Sequence, residues 1–373
     1  MKIDKIDIMP ADMPQADPKW RFAIHANRVS RGWLVAISAD DGTLGCGYAS
    51  ATKHMGASSE GLKGVLDDFA GSLIGRDPFE IEGIMAGLNH RLRGMNQAKA
   101  AIDCALHEIV ARALGVPLCV LFGGKLRTEF PVLRVLSLKA PDEMAAKAQE
   151  LVDAGYRDIK IKVDGHVALD AARVRAIREQ VGPDIRLTID ANQAYQPKGA
   201  IRLANKVVDH GVEIFEQPCS AQDHAGLKLV TEHSPIAVEA DESAGSVHEV
   251  MALVANRIVD LVSLKIPKLG GLRNTIAAAR ICEAGDIPCR LGAHVGPRLL
   301  TAQAMHLAAS LPDLSFACEF GEFVRLTNDI TEGVENENGI IRLPGGIGSG
   351  AGLRADAGVQ MSEAAKVSVA GRS

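Results

Sequence analysis

Short apolar segments alternate with helix-like segments along the chain from about residue 130 onward. The helix-like segments, such as DEMAAKAQELVDAG, carry apolar residues at three- and four-residue spacing and end at a glycine. The apolar segments have the length of strands and lie at 131–138, 159–163, 185–190, 212–217, 236–241, 261–266, 289–294 and 316–320. Strands that alternate with helices at this spacing predict a parallel sheet joined by right-handed crossovers.

The number of predicted strands favours a closed barrel over an open sheet. The last strand is followed by a loop-rich segment and not by a full helical unit, so the pattern predicts seven βα units and a final strand. This is a (β/α)7β variant of the TIM barrel, in the α/β class. The alternative is an open doubly wound sheet, but no glycine-rich phosphate-binding motif follows the first strand.

The chain before the barrel has a different pattern. Two alternating segments flank a DDG turn and predict antiparallel strands, and two helical stretches follow them. Strands followed by helices indicate an α+β capping domain over residues 1–126. The barrel is then expected over 127–320, and the C-terminal segment 321–373 is expected to return to the capping domain.

Composition narrows the class of function. Of the 373 residues, 47% are hydrophobic and 23% are charged, as in an ordinary globular protein, and the net charge is −5. This charge gives no basic surface for nucleic acid or for an anionic membrane, so a small-molecule substrate is expected. The seven cysteines form no CxxC pair, and we expect them to be free buried thiols. No signal peptide or long apolar run is found, which predicts a cytoplasmic location.

Three successive predicted strands end in carboxylates. Asp190, Glu216 and Asp241 are separated by 26 and 25 residues, which is one βα repeat each. Barrel enzymes carry their catalytic groups at the carboxyl ends of the strands, so neighbouring strands should bring the three carboxylates together. Three oxygen ligands, completed by water and substrate, suit Mg²⁺ and also Mn²⁺. A helix N-cap or a salt bridge is the alternative role for any one of these acids.

Lysines lie on the strands before and after the three acids. Lys160 and Lys162 are two residues apart in one apolar strand, so both point to the same face, and Lys265 lies late in a later strand. Burying three ammonium groups requires anions nearby, and the carboxylates supply them. A purely structural network of ion pairs is the alternative to a catalytic site.

The functional interpretation gives each group a role. A metal ion would bind a substrate carboxylate and stabilise the enediolate that forms when the α-proton leaves. A lysine close to a dication and to other ammonium groups should have a lowered pKa and could act as a base. Lysines on opposite sides of the metal would address both faces of the α-carbon. That arrangement allows racemisation or epimerisation, and with one active base it allows elimination or cycloisomerisation.

The motifs KIKVDG, DANQAY, FEQP, ADES and SLKIPKLGG resemble those of the enolase superfamily, in its muconate lactonizing enzyme subgroup. The resemblance covers nearly the whole chain and implies a metal-dependent isomerase with a small carboxylate substrate. It implies that Lys162 is the base on one face, Lys265 is the acid or base on the other, and Lys160 supports the substrate carboxylate. It also implies that Asn192 and Glu242 lie close to the metal ligands. Members of this family are commonly symmetric homo-oligomers, so we expect the same here.

Two positions are compared with particular branches of the superfamily. Acid-sugar dehydratases use a histidine base on a later strand, and His294 invites that comparison. Because Lys265 occupies the lysine-type position, His294 is expected either to contact substrate or to be a polar residue at the rim of the site. Dipeptide epimerases carry an Asp-x-Asp pair that binds the substrate ammonium. This chain has Glu319 and Glu322 in that region, which disfavours a dipeptide substrate and makes Glu319 a candidate site residue.

Two loops of the capping domain, about 14–30 and 50–58, are expected to close over the site and to help select the substrate. Their candidate contacts are Trp20, His25, Lys53, His54 and Met55. Three further functions remain as alternatives: a Schiff-base lysine barrel enzyme, an acid-sugar dehydratase-type elimination, and a non-catalytic ligand-binding relative. The Schiff-base alternative leaves the three acids unexplained, and the non-catalytic one predicts the loss of at least one lysine or ligand.

Overall fold

The computed structural model describes residues 1–23 and 28–357, with the side chain of residue 54 outside the description. The strands of the described residues, named β1 to β17 in chain order, are Ile3–Pro10, Met13–Pro14, Val29–Ser30, Gly32–Ala39, Leu44–Ser50, Glu129–Pro131, Leu133–Leu136, Asp158–Lys162, Arg186–Asp190, Val212–Glu216, Ala237–Ala240, Leu261–Lys265, Cys289–Gly292, Thr331–Glu332, Asn336–Glu337, Ile340–Arg342 and Gly352–Leu353. The α-helices, named α1 to α11, are Ser59–Leu73, Ile81–Arg91, Asn96–Ala113, Pro141–Asp153, Val167–Val181, Pro197–Val207, His224–His233, Val247–Ala255, Ile266–Leu269, Leu272–Ala284 and Arg298–Ala309. Short 3-10 helices occur at Lys53–Met55, Leu118–Phe122, Val208–His210 and Glu322–Arg325.

The N-terminal unit is an antiparallel sheet covered by helices. Its strands pair in the order β1, β4, β5, and β4 and β5 form a hairpin across the DDG turn, where Gly42 has a φ of 87°. The helix α3 packs against β5, and it can approach closely because Gly45 and Gly47 carry no side chain on that face. A separate apolar core forms between this sheet and helices α1, α2 and α3.

The second unit is a curled parallel sheet whose strands β7 to β13 lie in sequence order. Each strand is joined to the next by a helix, and every neighbouring pair is parallel. The residues Ile159, Ile161, Leu187 and Ile189 are fully buried, as expected where one face of a strand meets the helices and the other the barrel interior. These strands agree with the predicted segments, although most are shorter at one end or both.

The eighth barrel strand is reduced to a short bridging segment. Leu133 donates its backbone N–H to Cys318 O at 3.0 Å, and Glu319 donates to Leu291 O at 2.9 Å. The segment therefore joins β7 and β13, the two edges of the sheet, and closes the barrel. The predicted (β/α)7β barrel with an α+β capping domain is confirmed.

The tail beyond the barrel contacts both units. Its strand β16 pairs with β6 at the entrance to the barrel, and the backbone N–H of Ser349 donates to Glu108 of α3 at 3.2 Å. Residues 358–373 of the predicted C-terminal segment lie outside the described residues, and the domain boundaries stay predictions. In the described part of the chain, no helix combines the length and apolar character needed to cross a membrane. All seven cysteines are free and buried.

Candidate active site

The strand-end carboxylates lie next to one another in the barrel interior. Asp190 is the last residue of β9 and Glu216 is the last residue of β10, and the two are register partners. Asp241 follows directly after β11, one strand further along. All three side chains are buried. Parallel strands bring side chains of equal register to the same level of a sheet, so the predicted convergence follows from the strand order.

Lys162 and Lys265 lie on opposite sides of the barrel. Lys162 ends β8, the second barrel strand, and Lys265 ends β12, the sixth, which is half-way round an eight-stranded barrel. Lys162 Nζ lies 2.5 Å from Asp190 Oδ2 and 2.8 Å from Asn192 Oδ1. Lys265 Nζ lies 2.7 Å from Asp241 Oδ2 and 3.2 Å from Glu319 Oε2.

Lys160 is fully buried one level below Lys162. Its Nζ lies 2.6 Å from Glu216 Oε2, 2.7 Å from Glu319 Oε1 and 3.8 Å from Asp190 Oδ2. Burial alone would lower the pKa of this lysine, but Glu216, Glu319 and Asp190 outweigh burial and raise it. Lys160 is therefore a fixed cation at the base of the site.

The pKa of Lys265 differs from the expectation drawn from the sequence. Burial would lower the pKa of this ammonium, but the charges of Asp241, Glu319 and Glu216 raise it well above its ordinary value. The expected lowering depended on a cation and on neighbouring ammonium groups. Among the described side chains, the carboxylates in contact with Lys265 dominate instead.

The carboxylates of Asp190, Glu216 and Asp241 are suitable ligands for a hard cation, although lysine ammonium groups lie between them. In the described residues, no three acidic, imidazole or thiol groups form a ready-made metal cluster, and a lysine ammonium group pairs with each of the three acids. Glu216 Oε1 is nevertheless buried without a hydrogen-bond partner among the described residues, and Lys265 Nζ lies 4.0 Å from it, beyond hydrogen-bond distance. A buried carboxylate oxygen of this kind is costly unless a cation reaches it. The set Asp190, Glu216 and Asp241 offers only oxygen, which suits Mg²⁺ or Mn²⁺.

Asn192 and Glu242 lie at the edge of this site. Asn192 accepts from Lys162 through Oδ1, and its Nδ2 donates to Glu242 Oε1 at 3.2 Å. Its φ of 41° places it in the left-handed region. Burial, followed by the charges of Asp241 and Asp190, raises the pKa of Glu242 to about 8. Asn192 thus links Lys162 to Glu242, an acid next to the candidate metal ligands.

Glu319 lies between Lys160 and Lys265, at the point where the barrel closes. Burial would raise its pKa, but Lys160, Lys265 and Arg290 outweigh burial and hold the pKa well below its ordinary value. His294 follows β13 with a φ of 69°, and its side chain lines the same cavity. The structure therefore brings both predicted residues to the site.

A cavity of about 790 Å³ lies between the capping unit and the carboxyl ends of the barrel strands. Lys162, Asp241, Lys265 and Glu319 line it from the barrel side, and Trp20 lines it from the capping side. A volume of this size accommodates a small organic substrate. Both lysines thus line the same cavity.

The capping-loop candidates are only partly described. Lys53 and Met55 line the cavity from the short 3-10 helix Lys53–Met55. His54 lies in the same helix, but its side chain is outside the described part of the structure, and His25 lies in the range 24–27 that is not described at all.

Three buried charged residues of the site were missed in the sequence. Lys268 Nζ lies 2.6 Å from Asp241 Oδ1, on the short helix that follows β12. Arg290 lies 2.7 Å from Glu216 Oε2 through Nη2 and also contacts Glu239. Arg290 and Glu239 each stand within an apolar strand, the same signal that identified Lys160, so the pattern could have found them.

Comparison with protein families gives matches to both units. The mandelate racemase / muconate lactonizing enzyme N-terminal domain matches residues 6–123, and the enolase C-terminal domain-like family matches residues 143–357.

Characterised relatives match over nearly the full length. The chain is 33% identical to the L-Ala-D/L-Glu epimerase of Clostridium acetobutylicum, covering 92% of this chain and 96% of the relative. It is 31% identical to the chloromuconate cycloisomerase CbnB of Cupriavidus necator, covering 95% and 97%.

Solved structures have the same fold. The dipeptide epimerase from Enterococcus faecalis, complexed with Mg and the dipeptide L-Leu-L-Tyr, has a TM-score of 0.90 at 30% identity and covers 94% of this chain and 99% of its own. The N-succinyl Arg/Lys racemase from Bacillus cereus has a TM-score of 0.93 at 27% identity and covers 97% and 98%.

Proposed function

The chain belongs to the mandelate racemase / muconate lactonizing enzyme family of the enolase superfamily, as its motifs predicted, and on this premise we propose that it moves the α-proton of a small carboxylate substrate. Its relatives are epimerases, racemases and cycloisomerases, so the chain is an isomerase. Members of this superfamily use a divalent metal.

The placement of Lys162 and Lys265 carries the proposal. The two lysines end the second and sixth barrel strands and line one cavity from opposite sides. A substrate α-carbon between them would present one face to each ammonium or amine group. Lys162 then removes the α-proton from one face, and Lys265 delivers a proton to the other. In the reverse direction the two lysines exchange roles.

Neighbouring side chains hold these two groups in position. Asn192 and Asp190 fix Lys162 Nζ through bonds of 2.8 and 2.5 Å. Asp241 and Glu319 fix Lys265 Nζ in the same way on the other side. Fixed donors need little reorganisation when the proton moves, which is the main way such a site accelerates a reaction. The permanent positive charge of Lys160 favours binding of the substrate carboxylate.

Asp190, Glu216 and Asp241 are the residues that would hold the divalent cation, and we propose Mg²⁺, with Mn²⁺ as a substitute. When bound, the cation supplies positive charge that stabilises the substrate carboxylate as its α-proton becomes acidic. Glu216 Oε1 supports this assignment, because it is a buried oxygen that accepts no hydrogen bond among the described residues, while Oε2 of the same carboxylate is held by Lys160.

Assembly and location complete the proposal. Symmetric homo-oligomers are the commonest assemblies of enzymes, and we propose a homo-oligomer here, which light scattering on a sizing column would measure. The seven free, buried thiols support a reducing compartment, so we propose the cytoplasm.

Solvent-deuterium exchange tests the proposed function. The protein is incubated in D₂O with Mg²⁺ and a library of N-acyl amino acids, proline derivatives and muconates, and α-deuterium is read by mass spectrometry. We expect exchange with at least one class, loss of exchange in EDTA, and loss of turnover in Lys162→Ala and Lys265→Ala. Exchange that persists in EDTA, together with trapping of a carbonyl substrate by borohydride, would instead support a Schiff-base lysine enzyme.

A further inference from the structure

The fully buried carboxylate of Asp170 holds the loop that follows β8. Asp170 lies in the first turn of α5. Its Oδ2 accepts three successive backbone N–H groups, each at 3.1 Å, from Asp164, Gly165 and His166. Because β8 ends at Lys162, one carboxylate oxygen fixes the backbone that directly follows the proposed base.

A tyrosine of the neighbouring loop donates to the same oxygen. Tyr195 is buried in the loop that follows β9, and its hydroxyl donates to Asp170 Oδ2. Burial and the charge of Asp170 raise the pKa of Tyr195, so the hydroxyl keeps its proton. The two loops also pack closely, because a Cβ built on Gly165, where φ is 95°, would lie 2.8 Å from Ala194 O. The loops after β8 and β9 are thus joined through Asp170.

Arg173 extends this connection to a third loop. Its Nη1 donates to Asp170 Oδ1 at 2.5 Å and to Asp164 Oδ1 at 2.9 Å. Its Nε donates to Lys139 O at 2.9 Å, in the loop that follows β7. The loops after the first three barrel strands therefore meet at one buried ion pair. We call Asp170, Arg173 and Tyr195 the loop clamp.

The loops held in this way carry the surroundings of Lys162. Asn192 lies in the loop after β9, has a φ of 41°, and accepts from Lys162 Nζ through Oδ1 at 2.8 Å. A left-handed conformation at such a residue persists when the surrounding structure maintains it. Lys265 is held on the opposite side of the barrel by Asp241 and Glu319, which follow β11 and β13 in the chain. The loop clamp therefore lies on the side of one lysine and not of the other.

From this geometry we infer that the loop clamp positions Lys162 for proton transfer and does not act on Lys265. The inference rests on the proposed function, because it assigns the clamp to one of the two proposed bases. Asp170, Arg173 and Tyr195 act through the backbone next to Lys162 and through Asn192, so they are positioning residues. Loss of one bond of the clamp would let the two loops move apart, and a small displacement of a catalytic group slows its reaction strongly.

Proton exchange in two single-base backgrounds tests the inference. In Lys265→Ala the remaining base is Lys162, and in Lys162→Ala the remaining base is Lys265. Adding Tyr195→Phe removes one hydroxyl and keeps the aromatic ring. In the Lys265→Ala background this change should slow α-deuterium incorporation by about 10- to 100-fold. In the Lys162→Ala background it should change the rate by less than about threefold, as for two distant sites.

Tyr156→Phe is the matched control. Tyr156 is also buried, and its hydroxyl accepts from Asn336 Nδ2, but it precedes β8 at the end of the strand opposite to Lys162. This substitution should leave both rates unchanged, and circular dichroism checks that every variant is folded. Equal slowing of both backgrounds by Tyr195→Phe would reduce the clamp to a general stabilising role and overturn the inference. No slowing in either background would overturn it as well.

Backbone hydrogen exchange, read by mass spectrometry, tests the loop clamp without turnover. Wild-type amides at 164–166 should exchange slowly, because they donate to a buried carboxylate. In Tyr195→Phe, exchange should be faster in peptides that cover 163–166 and 191–195, and unchanged in the peptide that covers 241–246.

Wild-type amides at 164–166 that exchange as fast as in the urea-unfolded chain would overturn the inference, even if the variant does not fold. A wild-type protein that exchanges no α-proton would instead contradict the proposed function. The amide measurement would still decide whether the loop clamp holds the loops after β8 and β9, so the two failures are distinguishable.

Discussion

At the scale of single residues, Arg290 connects the buried acids beneath the site. Its guanidinium is buried and contacts both Glu216 and Glu239, while Lys160 holds the same oxygen of Glu216. Burial raises the pKa of Glu239 well above its ordinary value, although the nearby Arg290 acts to lower it. Arg290 therefore orients Glu216 so that only Oε1 is left without a hydrogen bond.

Replacing Arg290 should destabilise the protein. Arg290→Met removes one partner from a buried network and leaves Glu216 short of a cation, so we expect a loss of about 3–5 kcal/mol in the free energy of unfolding, measured with urea. Arg342→Met is the control, because Arg342 is exposed beside Glu129 and Glu337, and its unfolding curve should match the wild type. Equal effects of the two substitutions would contradict this account of Arg290.

The sequence identified some site residues and missed others for a physical reason. Asp190, Glu216 and Asp241 were found because each lies at the carboxyl end of a strand, one repeat from the next. Arg290 and Glu239 each interrupt an apolar strand in a similar way, but they belong to β13 and β11. The spacing of residues along the chain does not predict that these two side chains form an ion pair in the barrel interior. Lys268 was missed because it lies on a short helix after its strand.

At the scale of secondary structure elements, α3 and β5 pack with backbone contact. A Cβ built on Gly47 would lie 1.9 Å from the carbonyl oxygen of Ala101, and one on Gly45 would lie 2.1 Å from that of Ala105. These glycines are required because the helix backbone occupies the space that a side chain needs. This close packing holds the capping sheet against the helix whose first residues line the cavity.

Adding a methyl group at this contact should separate the two elements. Gly47→Ala is expected to lower the free energy of unfolding by about 1–3 kcal/mol or more, because backbone atoms cannot move aside as a flexible side chain can. Gly64→Ala is the matched control, since Gly64 lies on the exposed face of α1 with open space around it. That substitution should be neutral or stabilise by up to about 1 kcal/mol. Urea unfolding of both variants distinguishes them.

His306 joins α11 to two other segments. Its Nδ1 accepts the backbone N–H of Cys119 at 3.2 Å, which leaves Nε2 to donate to Ser349 O at 3.1 Å. The imidazole is therefore neutral, with its proton on Nε2. Burial, partly offset by the bond to Ser349, lowers the pKa of His306 to about 4. Protonation would set two N–H groups against each other at Cys119.

Stability should consequently fall in mild acid. The unfolded chain binds a proton at this residue near pH 6.5, while the folded chain does so only near pH 4. The stabilisation is thus complete above pH 6.5 and is lost as the pH falls towards 4, by on the order of 3 kcal/mol. Urea unfolding at several pH values should show a shallower acid dependence for His306→Gln than for the wild type. His90→Gln, on α2, should follow the wild type, and identical slopes for all three would refute the assignment.

At the scale of the whole molecule, the capping loop is fastened to the barrel next to its point of closure. Ala16 donates its backbone N–H to Arg325 O at 2.8 Å, and Arg21 donates to Ser137 Oγ at 3.0 Å. These bonds hold Trp20 over the cavity from the capping side. The sequence predicted that loops of the first unit cover the site. It did not predict the particular contacts that hold the loop, because they join residues far apart along the chain that meet only when the barrel is closed.

The barrel architecture itself was the most predictable feature. A regular repeat of buried strands and amphipathic helices specifies the strand order, and the strand order specifies which side chains meet. The closing segment was less predictable, because Cys318 and Glu319 form only isolated bridges and not a regular strand. The same strand order places Lys162 and Lys265 half-way round the barrel from each other.

The most direct test of the central claim follows α-deuterium incorporation into each enantiomer of a substrate separately. In folded Lys265→Ala, Lys162 should still exchange the α-proton of one enantiomer, and in folded Lys162→Ala, Lys265 should exchange that of the other, while neither variant interconverts the two. Lys147→Ala, which alters an exposed lysine of α4, should behave as the wild type. If both active-site variants exchanged the same enantiomer, or if either exchanged both, the two-face arrangement of the lysines would be contradicted.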